Sequence, residues 1–364
     1  MNRCDSSSLR REEALLRLTN GGLASTLESV RPFTMLSKES LIDLAHQVLA
    51  VLAFGVPGDF VECGVWRGGA AFLVADLLRR AGVSDRKVWL FDSFEGLPRP
   101  ERVDGEAAVR YAGEAQSPDY HDNCRASLED VKKGAAELGL IPHTEFVKGW
   151  FEESLPAHRD RIGPIALLRI DCDWYSSVRC CLENLFHQVA DDGLVVFDDY
   201  YTWDGCTIAV HEFLAKEARA YRIEGGASEA IGDEEYHSAV VRKGQTTWRW
   251  MRRKHLTMGD IAKFLPAGHP FILVDQEQFG FEEVGGRRVI SFLERDGEYW
   301  GPPPDEVTAI RELECLRRSG VRFIVFAAPA FWWLDHYTEL RRHLRSRFYC
   351  ALENDRVVIF DLAP

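Results

Sequence analysis

The chain has 364 residues, of which 46% are hydrophobic and 28% are charged, a balance typical of a globular protein with a buried core. Its formal net charge of -13 opposes binding to phosphate backbones, so the composition argues against nucleic acid as a partner. The N-terminal segment lacks the apolar run of a signal peptide, and the apolar stretch 48–54 is too short to cross a bilayer. We therefore expect a cytoplasmic protein without a membrane partner.

The nine cysteines are spread along the chain and include no two matching CxxC pairs. This spacing gives no support for a zinc site. We interpret the cysteines as reduced and mostly buried thiols, which is typical of proteins in a reducing compartment.

The first two-thirds of the chain alternate predicted strands with predicted helices. Residues 1–33 form a polar lead-in with a short helix, and residues 37–54 carry a helical pattern that begins at Ser37. The predicted strands are GDFVECGV, KVWLFDSF, TEFVKGWF, IALLRIDCDW and LVVFDDY, followed by the antiparallel pair RIEGG and HSAVVRK. Because buried apolar strands alternate with helices, we predict an α/β fold with a doubly wound, Rossmann-like, mostly parallel sheet of seven strands.

Residues 101–123 interrupt this alternation. The segment is polar, and it is too long for a plain connection between a strand and a helix. We interpret it as a lid or a substrate loop. Its candidate contacts to a substrate are Arg110, Tyr111, Tyr120 and His121.

A second domain is predicted after the basic, aromatic segment 246–255. The domains are then 34–245 and 256–364, and the second again alternates strands and helices as a smaller α/β domain. It loosely resembles a module found beside enzymes that act on glycans. Its aromatic side chains are either a surface on which sugars stack or an ordinary core or dimer contact. The aromatic residues in question are Trp300, Trp332, Trp333 and Tyr337.

The end of the first predicted strand carries a candidate cofactor motif. Glu62 precedes a G-x-x-x-G pattern formed by Gly64 and Gly68, and Asp92 ends the next strand. The pattern differs from the G-x-G-x-x-G of dinucleotide sites, which argues against a nicotinamide-dependent oxidoreductase. An acidic residue at this position suits a ligand with an ammonium and a sulfonium group, and Asp92 can accept both hydroxyls of a ribose. Alternatively, the glycines form only a tight turn and Asp92 caps a loop.

Two acidic pairs end the fourth and fifth predicted strands: Asp171 with Asp173, and Asp198 with Asp199. In a doubly wound sheet these strand ends line one crevice, where unpaired carboxylates would repel one another. A hard divalent cation with oxygen ligands removes that repulsion, and Mg²⁺ fits best. The alternative is that the aspartates act separately as caps or as partners in salt bridges.

Together the motifs resemble the macrocin O-methyltransferase family. The resemblance covers about two-thirds of the chain, from about Phe33 to residue 243. It implies a metal-dependent enzyme that uses S-adenosylmethionine to methylate hydroxyl groups of sugars on natural products. The motifs that carry it are, in order, GDFVECGVWRGG, FDSFEGLP, VKGWFEESLP, RIDCDWYSS and VVFDDYYTWDGC.

The resemblance also implies site residues at matching positions. The implied cofactor contacts are Thr34, Met35, Glu62, Cys63, Gly64, Val65, Trp66, Asp92, Ser93, Gly149, Trp150 and Asp171. The implied metal ligands are Asp171, Asp198 and Asp199. Spacing favours Asp171 over Asp173 as the ligand, which leaves Asp173 to orient the cofactor or substrate or to act as a base.

A histidine is a further candidate for the general base. The chain reads AVHEF where the family commonly carries AVDEF, which places His211 on the helix after DDY. The pKa of a histidine lies near neutrality and suits proton transfer. The alternative is an ordinary surface or partly buried helix residue.

From these observations we predict an O-methyltransferase that depends on S-adenosylmethionine and Mg²⁺. Its expected small-molecule partner is a sugar or a glycosylated metabolite, and we expect a homo-oligomer. Two alternatives stay open. One is a methyltransferase that acts on a catechol, another phenol or another small-metabolite hydroxyl, and the other is a non-catalytic glycan-binding protein.

Overall fold

The computed structural model describes residues 6–117, 120–225, 238–295 and 298–363. The chain divides into two compact units, and the larger one is Gly21–Arg252. The smaller unit combines the described parts of Met1–Asn20 and Arg253–Pro364 and includes helix α1 (Ser6–Thr19). Residues of the predicted lead-in, 1–33, therefore belong to both units.

The larger unit contains a sheet in which seven of the described strands are ordered β3-β2-β1-β4-β5-β7-β6. The strands are β1 (Asp59–Cys63), β2 (Val88–Asp92), β3 (Thr144–Lys148), β4 (Ile165–Ile170), β5 (Val189–Phe197), β6 (Ile223–Gly225) and β7 (Ala239–Arg242). The first five are parallel, whereas β7 runs antiparallel to β5 and β6. This topology confirms the predicted α/β fold with a mostly parallel sheet. His237 of the predicted last strand lies outside the described residues.

Helices connect the strands of the larger unit. They are α2 (Ala24–Val30), α3 (Lys38–Ala53), α4 (Gly69–Arg80), α5 (Gly105–Gly113), α6 (His121–Cys124), α7 (Leu128–Glu137), α8 (Phe151–His158), α9 (Tyr175–Leu185) and α10 (Asp204–Leu214). The predicted start of α3 at Ser37 is confirmed, because the Ser37 hydroxyl accepts a hydrogen bond from the Ser40 backbone N–H. No helix in the described parts of the chain is both long and apolar enough to cross a bilayer.

Residues 101–123 contain more regular structure than the predicted loop. Helix α5 lies inside the segment, after a turn in which the Asp104 carboxylate accepts from the Glu101 N–H at 2.6 Å. The sequence pattern predicts a lid or substrate loop without a helix, but this capping bond and the buried Ala108 stabilise a short helix. In α6, four consecutive residues have φ between 47° and 56°, so this segment is a left-handed turn. Residues 118–119 lie outside the described part of the segment.

Helix α11 (Trp248–Phe264) spans the position at which the chain passes from the larger to the smaller unit. The six-stranded sheet of the smaller unit has the order β14-β15-β13-β8-β10-β9, with β8 parallel to β10 and β13. The strands of this unit are β8 (Phe271–Val274), β9 (Glu283–Val284), β10 (Arg287–Ser291), β11 (Glu294–Arg295), β12 (Glu298–Tyr299), β13 (Phe323–Ala327), β14 (Tyr349–Glu353) and β15 (Val357–Asp361). Its later helices are α12 (Glu306–Arg318), α13 (Trp332–His336) and α14 (Thr338–Arg347).

The four aromatic residues proposed as a surface for sugar stacking differ in burial. Trp333 is completely buried, and Tyr337 is 4% exposed with its hydroxyl donating to the Pro303 carbonyl at 2.7 Å. Trp300 and Trp332 are 63% and 40% exposed. Trp333 and Tyr337 therefore belong to the core of the smaller unit, and only Trp300 and Trp332 present surface to a ligand.

The difference in burial predicts a difference in stability between two neighbouring substitutions. Trp333→Ala removes a fully buried indole and should destabilise the smaller unit by about 3–5 kcal/mol. Trp332→Ala is the matched control and should have a much smaller effect, because its indole is already partly hydrated. Differential scanning calorimetry of both variants would measure this, and equal shifts of the transition temperature would contradict the assignment.

Candidate active site

The carboxyl ends of the central parallel strands meet at one edge of the sheet in the larger unit. Hydrogen bonding between strands continues past their ends: Gly64 N–H donates to the Phe91 carbonyl at 2.9 Å, and Asp171 N–H donates to the Cys63 carbonyl at 2.8 Å. Asp198 N–H donates in the same way to the Ile170 carbonyl at 3.0 Å. These bonds hold the first residues after β1, β4 and β5 in register, as expected for a ligand crevice in a doubly wound sheet.

Gly64 allows the turn after β1 to lie directly against the end of β4. Its φ is +85°, and a Cβ atom at this position would lie 1.6 Å from the Asp171 carbonyl oxygen. No side chain fits in that space. The following N–H groups of Val65 and Trp66 both donate to Asp92 Oδ2, at 2.6 and 3.2 Å. The turn at Gly64 is thus tight, and the N–H groups that follow it also orient Asp92.

Asp92 is held by backbone donors on both of its oxygens. Besides the two bonds to Oδ2, the Phe94 N–H donates to Oδ1 at 2.6 Å. A carboxylate offers about four acceptor positions, so one further donor can be accommodated without rearrangement. Burial raises the pKa of Asp92, and the backbone N–H groups oppose that effect.

An open cavity of about 970 Å³, its mouth included, lies over this edge of the sheet. The predicted cofactor residues that line it are Thr34, Met35, Glu62, Gly64, Val65, Trp66, Asp92, Ser93, Gly149, Trp150 and Asp171. The other predicted site residues that line it are Asp173, Asp198 and Asp199. Cys63 is completely buried and His211 is exposed, and neither is among the lining residues.

Two buried polar atoms on the wall of the cavity have no hydrogen-bond partner among the described residues. They are Glu62 Oε2 and Trp66 Nε1. A buried acceptor and a buried donor without partners indicate a ligand that carries both a donor and an acceptor. The ammonium and carboxylate groups of an amino acid supply that pair, so the residues fit the methionine end of S-adenosylmethionine.

Three of the predicted carboxylates that line the cavity lie close to one another. One oxygen each of Asp171, Asp198 and Asp199 lies within 4.8 Å of the other two, and these residues form the one group of this kind in the described parts of the chain. Asp199 Oδ2 also accepts from the Asp173 N–H at 2.9 Å, which orients Asp199. Three carboxylate donors at this spacing match the oxygen ligands that Mg²⁺ prefers, so the residues fit a divalent cation.

The sequence interpretation missed Arg169, a positively charged side chain that contacts three acids of this site. Its Nη1 lies 2.5 Å from Glu62 Oε1 and 2.6 Å from Asp171 Oδ2. Its Nη2 lies 2.6 Å from Asp198 Oδ1 in a charge contact that is not aligned as a hydrogen bond. Arg169 stands inside the apolar run IALLRI, and a charged residue in a buried strand requires partners. That conflict is the signal that could have identified it.

Burial and mutual repulsion raise the pKa values of several acid groups in the site. Burial raises the pKa of Glu62 to about 7 although Arg169 opposes the shift. Burial likewise raises the pKa of Asp198 to about 6, again against the effect of Arg169. The pKa of Asp173 rises to about 8, first through burial and then through the neighbouring charge of Asp171. Without a cation, the site therefore retains protons at neutral pH.

Asp173 and His211, the two candidate bases, have different surroundings. Asp173 lies at the cavity with φ of 59°, and Trp203 Nε1 donates to its Oδ1 at 2.8 Å. His211 is exposed on α10, where its Nε2 lies 2.8 Å from the Tyr200 hydroxyl and its ring stacks on the Tyr200 ring. The structure thus brings Asp173, but not His211, to the carboxylate cluster.

The segment 101–123 contributes to the aromatic environment beside Asp173. The Tyr111 ring packs edge-on against Trp174 and Trp203, with ring centroids 6.2 and 5.8 Å apart. The His121 ring packs edge-on against Trp66 at 5.7 Å, and Cys124, at the end of the left-handed turn, lines the cavity. Two of the four candidate substrate contacts, Tyr111 and His121, are thus packed against aromatic side chains of the site.

A family model described as Macrocin-O-methyltransferase (TylF) matches residues 28–223, more than half of the chain. The chain belongs to this family. It is therefore an O-methyltransferase, as predicted from the order of its motifs. The match includes β1 to β5 and all the residues predicted for the cofactor, the metal and the base.

Curated relatives and a solved structure agree with this assignment. An 8-demethyl-8-(2,3-dimethoxy-alpha-L-rhamnosyl)-tetracenomycin-C 4'-O-methyltransferase from Streptomyces olivaceus is 37% identical over 200 residues, which are 55% of this chain and 72% of the relative. A demethyldecarbamoylnovobiocin O-methyltransferase from Streptomyces niveus is 38% identical over 186 residues, which are 50% of this chain and 68% of the relative. The structure of the O-methyltransferase NovP has a TM-score of 0.51 and 28% identity, and covers 66% of this chain and 100% of its own.

The raised pKa values predict how the stability of the cation-free enzyme depends on pH. A carboxyl group with a folded-state pKa above its unfolded value stabilises the fold at low pH, and this contribution is lost as pH rises through the folded pKa. With EDTA present, the melting temperature should therefore fall between pH 6 and 8, by roughly 5 °C. Asp173→Asn cannot titrate at that position and should flatten the slope. A melting temperature that rises over this range in both proteins would contradict the assignment.

Proposed function

We propose that this O-methyltransferase transfers a methyl group from S-adenosylmethionine to a hydroxyl of a sugar or a glycosylated natural product, with Mg²⁺ as a second cofactor. The observation that carries the proposal is one cavity that joins unpaired Glu62 Oε2 to the cluster of Asp171, Asp198 and Asp199. The Streptomyces olivaceus relative is named for methylation of a rhamnosyl-tetracenomycin, and this supports a glycosylated acceptor.

The residues of the glycine turn bind and orient the cofactor in this proposal. Glu62 Oε2 accepts from its ammonium group, and Trp66 Nε1 donates to its carboxylate. Asp92 accepts from a ribose hydroxyl at the one acceptor position that its backbone donors leave. Thr34, Met35 and Trp150 complete the wall of the cavity and restrict the access of water.

Asp171, Asp198 and Asp199 would hold the divalent cation, and the acceptor hydroxyl would bind beside it. A bound cation lowers the pKa of a substrate hydroxyl and fixes its orientation. Because the three aspartates line the same cavity as Glu62, an acceptor hydroxyl held beside them would lie near the cofactor, and such proximity supplies part of a rate enhancement.

Asp173 is the proposed general base. The substrate oxygen attacks the methyl carbon, the bond between that carbon and sulfur breaks, and the hydroxyl proton passes to the Asp173 carboxylate. Trp203 holds that carboxylate through Oδ1, which leaves Oδ2 to receive the proton. The raised pKa of Asp173 suits this role, because a base with a pKa near the working pH accepts protons most effectively.

Loss of a cation ligand should abolish turnover without abolishing cofactor binding. In a mass-spectrometric methylation screen with Mg²⁺, the wild-type enzyme should methylate glycosides rather than catechols. Asp198→Asn should lose about 100-fold or more in rate, since a bound cation is worth several kcal/mol. Calorimetry should show that the variant still binds S-adenosylhomocysteine. Asp160→Asn is the matched control, because Asp160 has a side chain 90% exposed.

Two outcomes would contradict parts of the proposed function. Near-normal turnover of the wild-type enzyme in EDTA would exclude the metal role. Methylation of catechols in preference to every glycoside, free sugar and nucleotide sugar in the screen would contradict a sugar acceptor and indicate a phenolic one.

The two candidate bases can be distinguished by substitution. Asp173→Asn should lower kcat by about 10²–10⁴-fold and remove the acidic limb of its pH profile, because the amide accepts no proton. His211→Ala should change kcat by less than about threefold, since His211 is exposed and does not line the cavity. Stopped assays over a pH series would measure both. The reverse pattern would assign the role to His211.

A further inference from the structure

We infer that Arg169 is a shared counter-ion that makes occupancy of the cofactor position at Glu62 and occupancy of the carboxylate cluster mutually antagonistic. The inference rests on the proposed function for the identity of the two ligands. It goes beyond that function because it assigns to Arg169 a positioning role and predicts an energetic coupling between two binding events.

The geometry shows how Arg169 is shared. The same Nη1 atom contacts Glu62 Oε1 and Asp171 Oδ2, while Nη2 contacts Asp198 Oδ1. Glu62 belongs to the cofactor wall of the cavity, whereas Asp171 and Asp198 belong to the carboxylate cluster. One guanidinium group therefore neutralises acids at both positions, and no other side chain in the described parts of the chain is shown to contact both.

Burial makes this shared charge effective. The side chains of Arg169 and Glu62 are only 4% and 5% exposed, so water screens their interaction weakly. A buried charge that loses its partner is strongly destabilised. Arg169 must therefore keep carboxylate contacts, and a change at one of its partners alters its contacts with the others.

The direction of the coupling follows from the signs of the charges. Asp171 and Asp198, once they ligate a cation, attract the guanidinium less, and the cation itself repels it. Arg169 then interacts more strongly with Glu62 through Nη1. Glu62 consequently has less negative charge available for an ammonium group at its free Oε2. Reciprocally, an ammonium group at Glu62 shifts Arg169 towards the aspartates and lowers their affinity for the cation by the same factor.

Binding measurements without turnover test this coupling. S-adenosylhomocysteine is the probe, because it carries the ammonium group but lacks the sulfonium charge that would itself repel a cation. Calorimetry should show that saturating Mg²⁺ raises its Kd by about fivefold relative to EDTA. Mn²⁺ binding, followed by electron paramagnetic resonance, should weaken by the same factor when S-adenosylhomocysteine is bound.

Substitution of Arg169 should remove the effect. Arg169→Met should bring the ratio of the two Kd values to within twofold of one, and Arg169→Lys should retain part of the coupling because it keeps a charge. Arg179→Met is the matched control and should leave the ratio unchanged, since Arg179 is exposed and pairs with Glu183 on its own helix. Arg169→Gln keeps hydrogen-bond donors to the three acids without the positive charge, so it tests the loss of coupling if Arg169→Met does not fold.

The outcomes separate this inference from the proposed function. In the wild-type protein, a Kd of S-adenosylhomocysteine that is the same with Mg²⁺ as with EDTA, or lower with Mg²⁺, would overturn the coupling and leave the proposed function intact. A fivefold ratio of the two Kd values that persists in Arg169→Met or in Arg169→Gln would overturn the role of Arg169. Wild-type protein that binds S-adenosylhomocysteine but no Mn²⁺ would overturn the metal part of the proposed function, and the inference with it.

Discussion

The contacts of Arg169 with three carboxylates are the interaction on which the rest of the site depends. Parallel strands bring Glu62, Asp171 and Asp198 to one edge of a sheet, and burial there disfavours every ionised acid. The guanidinium group of Arg169, near the carboxyl end of β4, reduces that penalty, because it reaches all three acids at once. The acids can consequently stay close together before any ligand arrives, as electrostatic preorganisation requires.

The close packing of the backbone around this charge cluster is a second constraint. Gly64 lies so near the Asp171 carbonyl that a methyl group would not fit between them. The turn also directs two N–H groups at Asp92. The positions of Glu62, Asp92 and the three clustered aspartates are therefore set by the ends of neighbouring strands.

The features predicted correctly from the sequence are those that depend on local pattern and on sheet geometry. Acids placed directly after apolar strands had to meet at one edge, and Asp171, Asp198 and Asp199 do so. Features set by tertiary packing were not predictable in this way. Phe151 begins helix α8 although its segment reads as part of a strand, and Trp333 is buried whereas the adjacent Trp332 is not. The contacts of Arg169 depend on three separate strands, so no single segment reveals them.

The smaller unit is formed by two separate segments of the chain, and this affects how the chain folds during synthesis. Its helix α1 is made first, but the partners of that helix come more than 230 residues later: the Thr19 hydroxyl lies 3.1 Å from His255 Nε2, and the Asn20 amide donates to the Gly259 carbonyl at 3.0 Å. The larger unit is continuous in sequence and can fold before these later partners of α1 have been synthesised. Removal of the first twenty residues would therefore leave the methyltransferase unit whole and expose part of the core of the other.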